Sequence, residues 1–348
     1  MYKLDKIFRT AVQYGASDVY VATGSKPILR INGDLIPIAE HPELTKKMAE
    51  EYILELLTEK QKEQFQKTLD FDYSLEIEGI SRFRINVFVQ KKGISAVFRL
   101  VSSEVKTMDQ LNLPKQMKKT TKFKNGLVIV TGPTGSGKTT TLASMINEIN
   151  KNEKKHIITI EDPIEYTHTN QKSLIQQREV PIHTHSFTNA LRSALREAPD
   201  VILVGEMRDL ETMQLAITAA ETGHLVFATL HTSGCANSIS RIIDAFPVNQ
   251  QAQVRTQLSE SLSAVFWQSL IKTKDKKGRI AAIEIMFANS AISNTIRKGT
   301  THQINSIIET STREGMQTMK KAVTDLFNAG LITEEDALLN IPKEFEDQ

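Results

Sequence analysis

The strongest constraint in this sequence is the run Gly132-Pro133-Thr134-Gly135-Ser136-Gly137-Lys138-Thr139. The apolar stretch Leu127 to Val130 precedes it, and Leu142, Met145, Ile146 and Ile149 follow at helical spacing. A glycine-rich turn that leaves a strand, opens a helix and closes on Lys-Thr is the P-loop pattern in its required context. Glycines let the backbone wrap around an anion so that successive N–H groups converge on it. Lys138 can reach the β- and γ-phosphates of a nucleotide as a point charge, and the Thr139 hydroxyl can ligate Mg²⁺. The expected nucleotide-binding set is therefore Gly132, Pro133, Thr134, Gly135, Ser136, Gly137, Lys138, Thr139 and Thr140. The competing reading is a plain glycine turn at a helix start.

Two further strand ends carry the acids such a site needs. Val201 to Val204 leads through Gly205 to Glu206, at the carboxyl edge where α/β sheets bind ligands. Glu206 is longer than the aspartate usual at that place and could hold Mg²⁺ through a water. The run Ile157 to Ile160 leads to Glu161, Asp162 and Glu165. Several carboxylates at one strand end are electrostatically costly without a cation or a proton, which favours metal coordination or water activation over a surface acidic turn. Glu165 is the first candidate to orient or deprotonate the attacking water, and Glu161 the second.

The first hundred residues read differently. Leu4, Ile7, Phe8, Ala11 and Val12 fall at helical spacing, with Gly15 as a stop. Strands are expected at Val19–Ala22, Ile28–Ile31, Leu35–Ile38, Phe71–Ile77, Phe83–Val89 and Ile94–Val101, with Asn32-Gly33 as a hairpin turn. Leu44 to Phe65 reads as one or two helices. The spacing gives an α+β domain at 1–101, a lysine-rich linker with a short amphipathic helix at 102–118, and an α/β domain at 119–348 with a mostly parallel sheet. Helices are expected to dominate after Asn249, with Val254, Leu258, Leu262, Val265 and Phe266 on one face.

Composition narrows the class. A net charge of +2 gives no reason to expect direct nucleic-acid binding, and one cysteine excludes an intramolecular disulfide or a four-cysteine zinc site. The first residues lack a signal-peptide core and no apolar run is long enough to span a bilayer, so a cytoplasmic protein is expected.

The P-loop, the acidic runs and Gly223-His224-Leu225-Val226-Phe227-Ala228-Thr229-Leu230-His231-Thr232 together resemble the secretion ATPase superfamily. They correspond to its Walker A, Asp box, Walker B and His box. The likeness extends through Gly15-Ala16-Ser17-Asp18, Gln177-Arg178-Glu179-Val180, Ala194-Leu195-Arg196-Glu197 and Gly205-Glu206-Met207-Arg208-Asp209, and is strongest to the PilT-type pilus-retraction branch. It implies a PAS-like first domain, a RecA-like second domain, ATP and Mg²⁺ as ligands, and a homohexameric ring. It also implies an inner-membrane pilus platform protein as partner, with related retraction or extension ATPases beside it. The protein would then be peripheral to the inner membrane. The chain's start and its single cysteine match the retraction branch, which lacks the extension motor's extra N-terminal domain and tetracysteine insertion. One stretch departs from that branch. Ala291-Ile292-Ser293-Asn294-Thr295-Ile296-Arg297 lacks the first arginine and the leucine of its C-terminal signature, which leaves an accessory, PilU-like paralogue as an alternative.

The resemblance also gives roles to Arg82, Arg84 and Arg99, which would sense and stabilise the γ-phosphate, and to His231 as a γ-phosphate sensor. Arg82 and Arg84 are two apart and share a strand face. Readings that remain beside retraction are pilus extension, type II secretion or DNA uptake within the superfamily. Outside it stand a nucleic-acid helicase and a regulatory ATP-binding module.

Overall fold

The computed structural model describes residues 2–31, 33–101, 105–276 and 278–342. The chain divides between residues 104 and 105 into two compact units.

In the first unit, helix α1 (Asp5–Gln13) ends where Gly15 takes φ +64°. Strands β1 (Asp18–Ala22), β2 (Ile28–Ile31) and β3 (Asp34–Pro37) follow. Asn32 of the expected hairpin turn lies outside the described residues. Gly33 has φ +98°, and Ile31 pairs with Asp34. Helices α2 (Lys46–Leu54) and α3 (Glu59–Thr68) are separate because Thr58 starts the second with a capping box. In that box, Gln61 Oε1 accepts from the Thr58 amide while the Thr58 hydroxyl accepts from Gln61 N. Strands β4 (Asp70–Ile77), β5 (Ser81–Gln90) and β6 (Gly93–Val101) complete an antiparallel sheet of order β3-β2-β1-β6-β5-β4. Its core is anchored by Phe8, Phe83 and Phe98. All three are fully buried, and Phe8 lies 4.4 Å and 4.9 Å from the other two ring centroids. Val12, expected on the apolar face of α1, is instead 43% exposed. The buried stripe runs through Asp5, Ile7, Phe8 and Ala11, and Val12, one position and so about 100° on from Ala11, falls at its border.

The second unit starts at Val105, so part of the expected linker is packed. Met108, Leu113 and Met117 are buried in the unit's main core, the last on a 3₁₀ turn at Lys115–Lys122 rather than an α-helix. Then come β7 (Gly126–Thr131), α4 (Lys138–Asn152), β8 (His156–Glu161), β9 (Leu174–Glu179), α5 (Phe187–Ala194), β10 (Val201–Val204), α6 (Leu210–Glu221) and β11 (Leu225–Leu230). Helices α7 (Cys235–Asp244) and α8 (Val248–Ser261) lead to the hairpin β12 (Leu262–Lys272) and β13 (Arg279–Phe287). Helices α9 (Ser290–Lys298), α10 (Ile304–Thr310), α11 (Met319–Asn328) and α12 (Glu334–Asn340) end the unit. The sheet order is β13-β12-β7-β11-β10-β8-β9, parallel throughout except for the β12–β13 pair. Every residue of β7, β10 and β11 is buried, as strands covered on both faces require.

The expected helical face through Leu262, Val265 and Phe266 is wrong. Helix α8 stops at Ser261, and those residues begin β12. The run Leu262 to Ile271 is rich in branched and aromatic residues, and burial on both faces blurs the two-residue alternation that marks a strand. Strand β9 had no counterpart in the sequence reading, because Gln176, Gln177 and Arg178 hide its apolar pattern.

Candidate active site

Parallel register sets the site. Val204 pairs with Ile160 and with Ala228, and Leu230 pairs with Thr131, so β7, β8, β10 and β11 end at one edge of the sheet. The P-loop leaves from Thr131, Glu161 closes β8, Glu206 follows β10 by two residues, and His231 follows β11. Gly205 makes this convergence tight. A Cβ there would stand 3.1 Å from the Ile160 carbonyl and 3.3 Å from Glu161 Cα.

The loop is built for an anion. Gly132, Gly135 and Gly137 have φ of +148°, +79° and +85°, a region that favours glycine. Gly137 caps α4 with no side-chain cap, which leaves the helix's first N–H groups without one among the described residues. The Ser136 hydroxyl is buried and has no hydrogen-bond partner among the described residues, a polar atom suited to a phosphate oxygen. Lys138 is 8% exposed and its Nζ donates to the carbonyls of Gly132 at 2.8 Å and Pro133 at 3.0 Å. Burial lowers its pKa below the usual lysine value, only partly opposed by the Glu206 and Glu165 carboxylates. Thr140 Oγ1 hydrogen-bonds the Tyr166 hydroxyl at 2.8 Å, tying the first turn of α4 to the acidic loop.

Glu161 is the most buried of the candidate catalytic acids. Its carboxylate accepts from Thr159 Oγ1 at 2.6 Å, from Gln177 Nε2 at 3.2 Å and from the Glu165 amide. Burial first, then the neighbouring Glu165 charge, raises its pKa to about 6 against the lowering effect of those hydrogen bonds. Glu206 accepts from Arg208 Nε at 2.8 Å and lies 3.3 Å from His231 Nε2. His231 Nδ1 is in turn 3.5 Å from Thr134 Oγ1, so His231 stands between the loop and Glu206. Among the described residues, no cluster of three His, Cys, Asp or Glu side chains suits a metal ion. A P-loop Mg²⁺ needs no such cluster, because nucleotide oxygens, one hydroxyl and waters would make up its shell. The donors Thr139 and Glu206 fit that chemistry.

Sequence reasoning missed the supports. Gln177 bonds Glu161 and also the Tyr166 carbonyl at 2.9 Å. Glu179 accepts from the Ile164 amide at 3.0 Å, so β9 frames the acidic loop. Their spacing of two on one strand was the available signal. Arg82, Arg84 and Arg99 belong to the first unit. Arg84 pairs directly with Arg99 across β5 and β6, and all three share a face. Arg99 Nε is 3.0 Å from Asp18 Oδ1, whose side chain is nearly buried.

The family model for the type II/IV secretion system proteins matches residues 1–338. The chain belongs to this family. Within it, the type IV pilus retraction ATPase PilT of Pseudomonas aeruginosa is 47% identical over 344 residues, 98% of this chain and 99% of that protein. The twitching motility protein of Neisseria gonorrhoeae is 47% identical over 336 residues, 97% of this chain and 90% of that protein. A crystal structure of the pilus retraction motor PilT with bound ADP matches with a TM-score of 0.93 at 43% identity, covering 100% of both chains. The similarity therefore runs through both units of this family member.

Proposed function

We propose that this chain is an ATP-hydrolysing motor that drives type IV pilus retraction. The observation that carries the reading is the convergence at one sheet edge: the glycine-rich loop leaves β7 there, the strand ends carrying Glu161 and Glu206 lie beside it, and His231 stands between the loop and Glu206. Nearly full-length identity to retraction ATPases supports the task.

In this reading the amides of 132–140 grip the phosphate tail, and Lys138 leaves the loop carbonyls for the β- and γ-phosphates. When bound, Mg²⁺ would neutralise charge on those phosphates, held by the Thr139 hydroxyl and, through a water, by Glu206. Glu165 orients or deprotonates the attacking water, with Glu161 as the alternative base. His231, held against Glu206, senses the γ-phosphate. Arg82, Arg84 and Arg99 contribute positive charge to the transferring phosphoryl group. Loss of that group on hydrolysis would release the contacts and drive a domain movement. A homohexameric ring pulling on an inner-membrane platform protein completes the proposal, with a PAS-like first unit and a RecA-like second. No helix among the described residues is long and apolar enough to cross a membrane, so membrane attachment is assigned to that partner.

The test is complementation of a strain lacking this gene. The wild-type gene should restore twitching to hyperpiliated, non-motile cells, and Lys138→Ala should not. Purified Lys138→Ala should hydrolyse ATP only at background. Normal turnover in that variant would overturn the site, and a deletion strain that still retracts its pili would overturn the task.

A further inference from the structure

Gln268 lies on β12, one residue beyond Trp267, which is the last residue of β12 to pair with β7. It is therefore level with the P-loop itself. It is 2% exposed, an unusual burial for a primary amide, and both ends of the amide are used. Nε2 donates to the Ser136 carbonyl at 2.6 Å, and Oε1 accepts from the Thr141 hydroxyl at 2.8 Å. A carbonyl can only accept, so the amide orientation is fixed by its partners. The loop is packed onto this strand with no room to spare. A Cβ on Gly132 would sit 2.3 Å from the Gln268 carbonyl oxygen, and one on Gly137 would sit 2.9 Å from Nε2.

The consequence follows from peptide geometry. In a trans peptide the C=O of one residue and the N–H of the next point in opposite directions. Drawing the Ser136 carbonyl toward β12 turns the Gly137 N–H away from β12. That N–H opens α4 and is among the donors a bound anion would use. The bond to Thr141 fixes the first turn of the same helix to the same amide. We propose that Gln268 is a positioning residue for nucleotide binding, one that sets the direction of the Gly137 amide and the seating of α4 without touching the nucleotide. This rests on the ATPase reading and adds to it a residue 136 positions beyond the start of the loop, on a strand that the P-loop motif does not include.

The test uses the full-length protein and fluorescent ADP, with Tm measured for each variant. Gln268→Met keeps the volume and removes both hydrogen bonds. Its dissociation constant for ADP and its KM for ATP should rise at least about tenfold, the loss expected when a preorganised charge-assisted donor is misaligned. Its kcat at saturation should change less than its KM does. Thr141→Val removes one of the two bonds and should show a smaller rise. Gln268→Glu supplies a readout that a purely structural role would not move. Its ionised carboxylate faces the Ser136 carbonyl and should impair binding, whereas its protonated form can donate to that carbonyl and accept from Thr141. Affinity relative to wild type should therefore recover as the pH falls from about 8 to about 6. Lys138 on the loop and Arg279 on β13, the charged groups bordering this region, are common to both proteins and cancel in the ratio. Wild-type ADP affinity in a folded Gln268→Met would overturn the proposal. So would a Gln268→Glu to wild-type ratio that does not vary with pH, which remains decisive if Gln268→Met fails to fold. Absence of ADP binding by the wild-type protein would overturn the ATPase reading itself, and the Gln268 proposal with it.

Discussion

Glu161 is an acid whose surroundings set a measurable signature. Its pKa is raised from 4.5 to about 6, so the folded protein holds a proton there that the unfolded chain releases. The protonated form is favoured by folding, so this contribution is fully present below the unfolded pKa and is lost as pH rises through the folded one. Relative to Glu161→Gln, the wild type should lose roughly 2 kcal/mol of stability between about pH 4.5 and pH 6. Chemical denaturation of both proteins across that range measures it, and a constant difference would show that Glu161 is not desolvated as the structure has it. The same variant separates the two candidate bases. If Glu165 is the base, Glu165→Gln should bind ATP and hydrolyse it poorly. Wild-type kcat in that variant, with loss of activity in Glu161→Gln, would move the role to Glu161. That Glu161, Asp162 and Glu165 cluster at a strand end was legible in the sequence. Which acid is desolvated was not, because Gln177 and the β9 edge that enclose Glu161 come from a separate strand.

At the scale of elements, the P-loop with its flanking strand and helix was legible because its parts are contiguous in the chain. Strand β12 was not, because Leu262 to Ile271 is mostly apolar and buried, and its few polar residues (Ser263, Gln268, Ser269) set no two-residue period that distinguishes a doubly covered strand from a buried helix. Much of the site's support depends on that strand and on β9, so Gln268 went unnoticed, and Gln177 and Glu179 were legible only as part of the family likeness, without a role. What the elements do together can be tested at Gly205. The amide of Gly205 donates to the Ile160 carbonyl at 2.8 Å, and a Cβ there would stand 3.1 Å from that oxygen. Gly205→Ala must push the end of β10 from the end of β8 by a few tenths of an ångström, and Glu206 moves with it. ATP turnover should fall by on the order of 10-fold, less than the roughly 10²-fold that a full ångström of misplacement can cost, while ADP binding persists. Steady-state kinetics and ADP titration of the variant decide this. Unchanged kcat would mean that the spacing of Glu206 and Glu161 is not critical.

At the scale of the molecule, two separate hydrophobic cores divide the labour. One is built around Phe8, Phe83 and Phe98, and the other around the parallel sheet, with a satellite of Ile271, Met319 and Val323 behind the β12–β13 hairpin. The second unit contains the whole P-loop, both acidic loops and His231, so residues 105–342 should fold alone and bind ADP with the affinity of the full chain. They lack Arg82, Arg84 and Arg99, the positive charge assigned to the transferring phosphoryl group. Arginines in that role are worth on the order of 10³ or more in rate in other phosphoryl-transfer enzymes, so the fragment should hydrolyse ATP slower by about that factor. Arg84→Ala in the full chain should reproduce much of the loss without altering ADP affinity. Arg84 is the member of the set to change, because Arg99 is paired with Asp18 and its removal would leave a nearly buried carboxylate short of a partner. If the fragment binds ADP and hydrolyses ATP at the full rate, the arginine face has another purpose and the chemistry is complete within the second unit. If Arg84→Ala retains full activity while the fragment is inactive, the first unit contributes through something other than that guanidinium. Measuring kcat and ADP affinity for the fragment and for Arg84→Ala side by side separates these outcomes.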